Sequence, residues 1–178
     1  MAARTVSRSE ALRSPAQIPL RSAPATATPD STRVGRIPLA DPRPFVPGGF
    51  DAKAFAGEVV PFSVIAFREG HDRIGVHVRL AGPDGSETLH RLEPLDDGTD
   101  RWTVDIALDA RGLWRYRFEA FADDYATWAH AAAVKIDAGV DVEVMTASGA
   151  QLFARAAAEK DRPAAERRRL AAVASDLG

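Results

Sequence analysis

Four histidines, one acidic run and three tryptophans are the side chains here with chemistry to offer: His71, His77, His90 and His130, then Asp96, Asp97 and Asp100, then Trp102, Trp114 and Trp128. A helical zinc site wants two histidines four residues apart on one face, and no pair has that spacing. His77 and His90 are expected to face each other across a hairpin, but a histidine on a polar strand face is ordinarily just solvated. With no Cys in the chain, thiolate ligands, disulfides and a Cys nucleophile are excluded. Cleaving a glycosidic bond takes two carboxylates held on opposite sides of it. Asp96, Asp97 and Asp100 instead share a stretch with Gly98 and read as turn residues. G-x-S-x-G, P-loop and G-x-G-x-x-G motifs are all missing. No catalytic, metal-binding or cofactor-binding residue is assigned, and no cofactor is expected. An exposed tryptophan can stack on a sugar ring. Trp102 and Trp114 each begin an alternating apolar series and so belong to a core. Trp128, flanked by Thr127, Ala129 and His130, is more open and is the one candidate sugar contact.

The elements that would hold these residues fall into three stretches. Residues 1–33 are rich in Ala, Ser, Thr and Pro, carry scattered Arg, and lack apolar periodicity. Such a segment buries too little surface to offset its ordering entropy, so a disordered, mildly basic tail is expected. Its composition would also suit an organellar transit peptide. Residues 34–136 read as strands. Phe62, Val64 and Ala66 face one side of a run from Glu58 to Phe67; Ile74, Val76, Val78 and Leu80 alternate with smaller or polar neighbours. Gly82-Pro83-Asp84-Gly85 turns the chain into a strand from Glu87 to Leu92. Trp102 to Leu108 and Trp114 to Ala120 alternate in the same way after turns at 96–100 and 109–112, and Trp128 to Ile136 is expected as a final strand. Alternation with Asp/Gly turns predicts an antiparallel β-sandwich. From residue 137 to 178 the period becomes helical. Ser148-Gly149 is expected to split one helix in two, and residues 163–176 form another, with Asp161 as its N-cap.

Composition limits the function classes. Of the 178 residues 46% are hydrophobic and 27% charged, which suits a packed globular domain, and the net charge of −2 supplies no field for nucleic acid or a membrane. No apolar run nears the ~20 residues that span a bilayer, and the N-terminus has no secretory apolar core. A cytoplasmic location is the expectation, with neither nucleic acid nor membrane as partner.

The order of motifs adds a resemblance. Gly35-Arg36-Ile37-Pro38, Phe67-Arg68-Glu69-Gly70-His71-Asp72, Gly98-Thr99-Asp100-Arg101-Trp102, Gly112-Leu113-Trp114-Arg115-Tyr116-Arg117-Phe118-Glu119-Ala120, Thr127-Trp128-Ala129-His130 and Val134-Lys135-Ile136 follow one another. Over about residues 34–160 this series resembles the N-terminal domain of the bacterial maltosyltransferases that extend α-1,4-glucans from maltose 1-phosphate. These enzymes belong to the α-amylase superfamily, glycoside hydrolase family 13. The resemblance implies an immunoglobulin-like sandwich with helical additions that takes part in a homodimer. It also implies a retaining (β/α)₈ barrel with an Asp nucleophile and a Glu acid/base, whose motifs this sequence does not contain. The chain is therefore expected to be a fragment, inactive alone, that leads through its helices towards that barrel. Its implied partners are the rest of the enzyme and a second subunit, with maltose 1-phosphate and α-1,4-glucan as the full enzyme's substrates. The loop Arg68, Glu69, His71 and Asp72 is the docking candidate, because it gathers groups for charge-assisted bonds to a partner surface; the same groups can also satisfy one another within the turn. A stand-alone carbohydrate-binding or protein-interaction sandwich is the alternative.

Overall fold

The computed structural model describes residues 17–22 and 37–178. The strands are β1 Gln17–Ser22, β2 Leu39–Arg43, β3 Ala52–Phe55, β4 Glu58–Ala66, β5 Ile74–Ala81, β6 Glu87–Pro94, β7 Arg101–Leu108 and β8 Trp114–Ala122, followed by helices α1 Asp124–Asp137, α2 Val142–Ala158 and α3 Ala164–Leu177. The fold is mainly antiparallel β with C-terminal helices, as alternation and turns predict. The tail expected over residues 1–33 lies outside the described residues except for Gln17–Ser22. That segment is a strand, antiparallel to β3 and parallel to β8, with Leu20 opposite Trp114.

The strand order is β2-β4-β7-β6-β5-β8-β1-β3. Period-two burial runs along it: Val60, Phe62, Val64 and Ala66 on β4, Val76, Val78 and Leu80 on β5, and Ile106 and Leu108 on β7 all turn inward. β4 and β8 are separated in the order by β7, β6 and β5. The rings of Phe62 and Tyr116 nevertheless meet edge to face, with centroids 5.3 Å apart, so the sheet curls on itself and its inner face closes into a core. The motif strand Trp114–Ala122 supplies one wall of this core. Trp114 and Tyr116 are buried, and Phe118 meets the Tyr116 ring at 5.6 Å. The Tyr116 hydroxyl donates to the Pro44 carbonyl, which satisfies the polar end of a buried ring; burial also pushes its pKa above the ordinary phenol value. Trp102, opposite Val64 on β7, is half-buried rather than enclosed. His77 and His90 do not face each other. His77 alternates with buried Val76 and Val78 and takes the outer face of β5, whereas His90 lies two residues from buried Leu92 on the inner face of β6.

The strand expected over Trp128–Ile136 is instead part of α1, so the β region ends at Ala122 and the helical region starts at Asp124, not at residue 137. The alternation there is misleading, because Ala129 and Ala131–Ala133 favour helix and Asp123 caps it. The Asp123 carboxylate accepts from the Ala126 N–H at 2.8 Å. Trp128 and Ala132, four residues apart, then share the inward face. α2 runs unbroken through Ser148-Gly149. A Cβ at Gly149 would stand 2.4 Å from Cζ2 of Trp128, so the glycine is there for close packing rather than to break the helix. α3 packs on α2 and has no fully buried residue. Pro163, not Asp161, precedes its first turn, a position where the missing proline N–H costs nothing.

Candidate functional site

The loop Arg68–Asp72 leaves β4 and is tied at its far end. The Arg73 N–H donates to Thr127 Oγ1 at 2.8 Å, and the Arg73 carbonyl accepts from the Asp123 N–H at 2.9 Å. Both bonds fix the loop to the start of α1. Within the loop, Arg68 Nη2 lies 2.9 Å from the Asp72 carboxylate, an ion pair with exposures of 23% and 53%. Two of the four docking candidates thus satisfy each other. Glu69 and His71 are exposed, and Phe67, 46% exposed, borders a concavity of about 340 Å³ with Pro38, Arg68 and Glu69. The loop is an anchored projection that presents Glu69 and His71 beside the Arg68–Asp72 pair, with the Phe67 ring next to it.

Trp128 sits elsewhere in the helical region, turned inward. Its indole N–H donates to the Met145 carbonyl at 2.8 Å. Its ring meets Phe153 edge to face at 5.6 Å and Tyr125 at 6.1 Å, and its benzenoid edge lies over Gly149. Sugar stacking needs an open aromatic face, and here α2 takes up much of the ring.

Four carboxylates are engaged in structure. Glu119, from the motif strand, bonds to Arg79 at 3.1 Å and Arg117 at 2.8 Å on the outer sheet surface. The Arg79 hydrogen bond is the main reason its pKa falls below the ordinary value. Asp41 is lowered first by its hydrogen bond to Arg101. Asp84 and Asp97 are lowered first by side-chain hydrogen bonds to Ser86 and Thr99, which close their turns. A general acid requires a carboxyl raised towards neutrality; each of these four shifts runs the other way. Among the described residues no group of three or more His, Cys, Asp or Glu is placed to hold a metal ion, and no helix is long and apolar enough to cross a membrane.

Sequence reasoning missed a third feature. A pocket of about 410 Å³ opens on the strand region, with Leu80, Ile106 and Trp114 at its apolar base and Thr88 and His90 of β6 on its wall. The signal was present: positions 88, 90 and 92 share the inner face, yet they read Thr-His-Leu where a closed core would read apolar throughout.

Residues 35–178 match the family model described as alpha-1,4-glucan:maltose-1-phosphate maltosyltransferase, domain N/S. Alpha-1,4-glucan:maltose-1-phosphate maltosyltransferase 1 of Streptomyces coelicolor is 44% identical over 153 residues, covering 84% of this chain and 22% of the relative. The corresponding enzyme of Corynebacterium pseudotuberculosis is 36% identical over 147 residues, covering 80% and 22%. The chain thus spans about a fifth of the length of the curated relatives it matches. On the strength of the match over residues 35–178, the chain belongs to the N/S-domain family of the α-1,4-glucan:maltose-1-phosphate maltosyltransferases.

Proposed function

We propose that this chain is the N-terminal accessory and dimerisation domain of a cytoplasmic maltosyltransferase. The full enzyme moves maltosyl units from maltose 1-phosphate to the non-reducing ends of α-1,4-glucans by a retaining, α-amylase-type mechanism, and this region carries none of the catalytic groups. The family match over residues 35–178 carries the reading. The carboxylates support the non-catalytic part, since Asp41, Asp84, Asp97 and Glu119 are bound to partners that keep them ionised. The anchored loop supports the docking part: its backbone is held at Arg73, so Glu69 and His71 meet a partner surface at little further cost in ordering.

The chain incubated with maltose 1-phosphate and a maltooligosaccharide acceptor is expected to release no phosphate above blank; release would overturn the reading. For the loop, sedimentation velocity at micromolar concentration is expected to show a dimer that Glu69→Ala with His71→Ala shifts towards monomer. A wild-type chain that stays monomeric, or a dimer indifferent to both substitutions, would remove the loop from subunit pairing.

A further inference from the structure

The pocket of the strand region is a separate matter from the loop. Its volume of about 410 Å³ falls in the lower part of the range of small-molecule sites, roughly 300–1,000 Å³. Its base is apolar and rigid. Leu80 and Ile106 are 1% and 7% exposed, and the Trp114 ring is held by its own indole N–H, which donates to the Ala110 carbonyl at 3.0 Å. The two turns beside it are interlocked, since a Cβ at Gly112 would stand 2.5 Å from Cβ of Pro83. Its rim is polar and of one kind. Asp84, Ser86 and Asp109 stand there with Thr88 and His90, and among the described residues neither Lys nor Arg lines it. The Asp84 carboxylate is kept ionised by the Ser86 hydroxyl and N–H, both bound to its Oδ1.

These groups select a ligand class. Two carboxylates without a lining cation repel anions, phosphate esters among them. Carboxylates, hydroxyls and an imidazole together accept several hydrogen bonds, those to the carboxylates being charge-assisted. An apolar base beneath such acceptors matches a ring with an apolar face and many hydroxyl donors. We propose that this pocket binds the end of a neutral saccharide chain and discriminates against sugar phosphates. That the saccharide is an α-1,4-glucan rests on the functional reading above.

The test is titration calorimetry of the chain with maltoheptaose, cellohexaose, maltose 1-phosphate and choline. Asp109 is exposed at the rim, so Asp109→Ala should leave the fold intact, with circular dichroism and the melting temperature as checks; Thr88→Val removes a hydroxyl at nearly constant shape. Binding of maltoheptaose weakened at least tenfold by either substitution, with maltose 1-phosphate bound more weakly, is the expected result. Binding of cellohexaose alone, lost in the same variants, would keep the saccharide pocket and sink the α-glucan assignment. Heat with neither oligosaccharide, binding indifferent to both substitutions, tighter binding of maltose 1-phosphate, or binding of choline alone would each overturn the proposal.

Discussion

The strand region and the helical region spend their apolar residues differently. In the strands, Phe62, Val64, Val78, Leu80, Leu92, Leu108 and Tyr116 are all exposed by 2% or less. In the helices only Ala132, 5% exposed, and Gly149 are buried, while Val134 and Val144 remain more than half exposed. At roughly 25 cal/mol per Å² of apolar surface removed from water, the strands gain most of the hydrophobic stabilisation. The helices depend on a narrow interlock of Trp128, Tyr125, Phe153 and a glycine. One region is held by volume, the other by fit.

The largest expected effect follows from the first half of that contrast. Phe62 is fully enclosed and meets the Tyr116 ring. Phe62→Ala removes a whole ring from a core that cannot collapse around the gap, and should cost about 3–5 kcal/mol in urea unfolding. A loss under ~1 kcal/mol would mean that the strand core is looser than its burial shows.

Fit is broken by a smaller change. Alanine favours a helix over glycine by about 1 kcal/mol, so Gly149→Ala in a solvated stretch of α2 would stabilise it. Here the new methyl would lie 2.4 Å from the Trp128 ring. Overpacking of this kind costs typically about 1–3 kcal/mol, and the helices should melt earlier, with a shift in Trp fluorescence. A higher melting temperature would show that the ring moves aside freely and that the interlock is not what holds the helices.

These two residues also mark what the sequence discloses and what it hides. Phe62 was readable, because a β-strand has a two-residue period and each strand from Glu58 to Ala122 is bounded by Asp/Gly turns. Gly149 reads in sequence as a helix breaker, because its role is set by a ring twenty-one positions back. Trp128 to Ile136 reads as a strand because Trp128, His130, Val134 and Ile136 all fall on even positions and mimic alternation; the Asp123 cap and the alanines decide otherwise. Of the docking loop, its polar make-up was legible but not its anchoring, which comes from Thr127 and Asp123, more than fifty residues away. The pocket wall left a trace only as Thr88 and His90 on a core face, recognisable once the face is known.

The smallest expected effect separates the core of the strand region from its outer surface. There Arg79 and Glu119, 31% and 35% exposed, form an ion pair at 3.1 Å, and the Arg79 hydrogen bond holds the folded-state pKa of Glu119 below its ordinary 4.5. A depressed carboxyl pKa means that the folded protein binds its proton more weakly than the unfolded chain does. The stabilisation is therefore complete above the ordinary glutamate value and disappears as pH falls through the lowered one. Both side chains reach water, so solvent screening limits the pair to less than about 1 kcal/mol. Glu119→Gln should thus lower stability slightly at neutral pH and low salt, converge with wild type as the medium is acidified below the ordinary glutamate range, and converge again in 1 M salt, where the Debye length is about 3 Å. Urea unfolding across that pH series measures it. If Glu119→Gln matched Phe62→Ala in cost, the surface network would hold the strand region as firmly as its core does, and the contrast between a region held by buried volume and one held by fit would no longer describe the molecule.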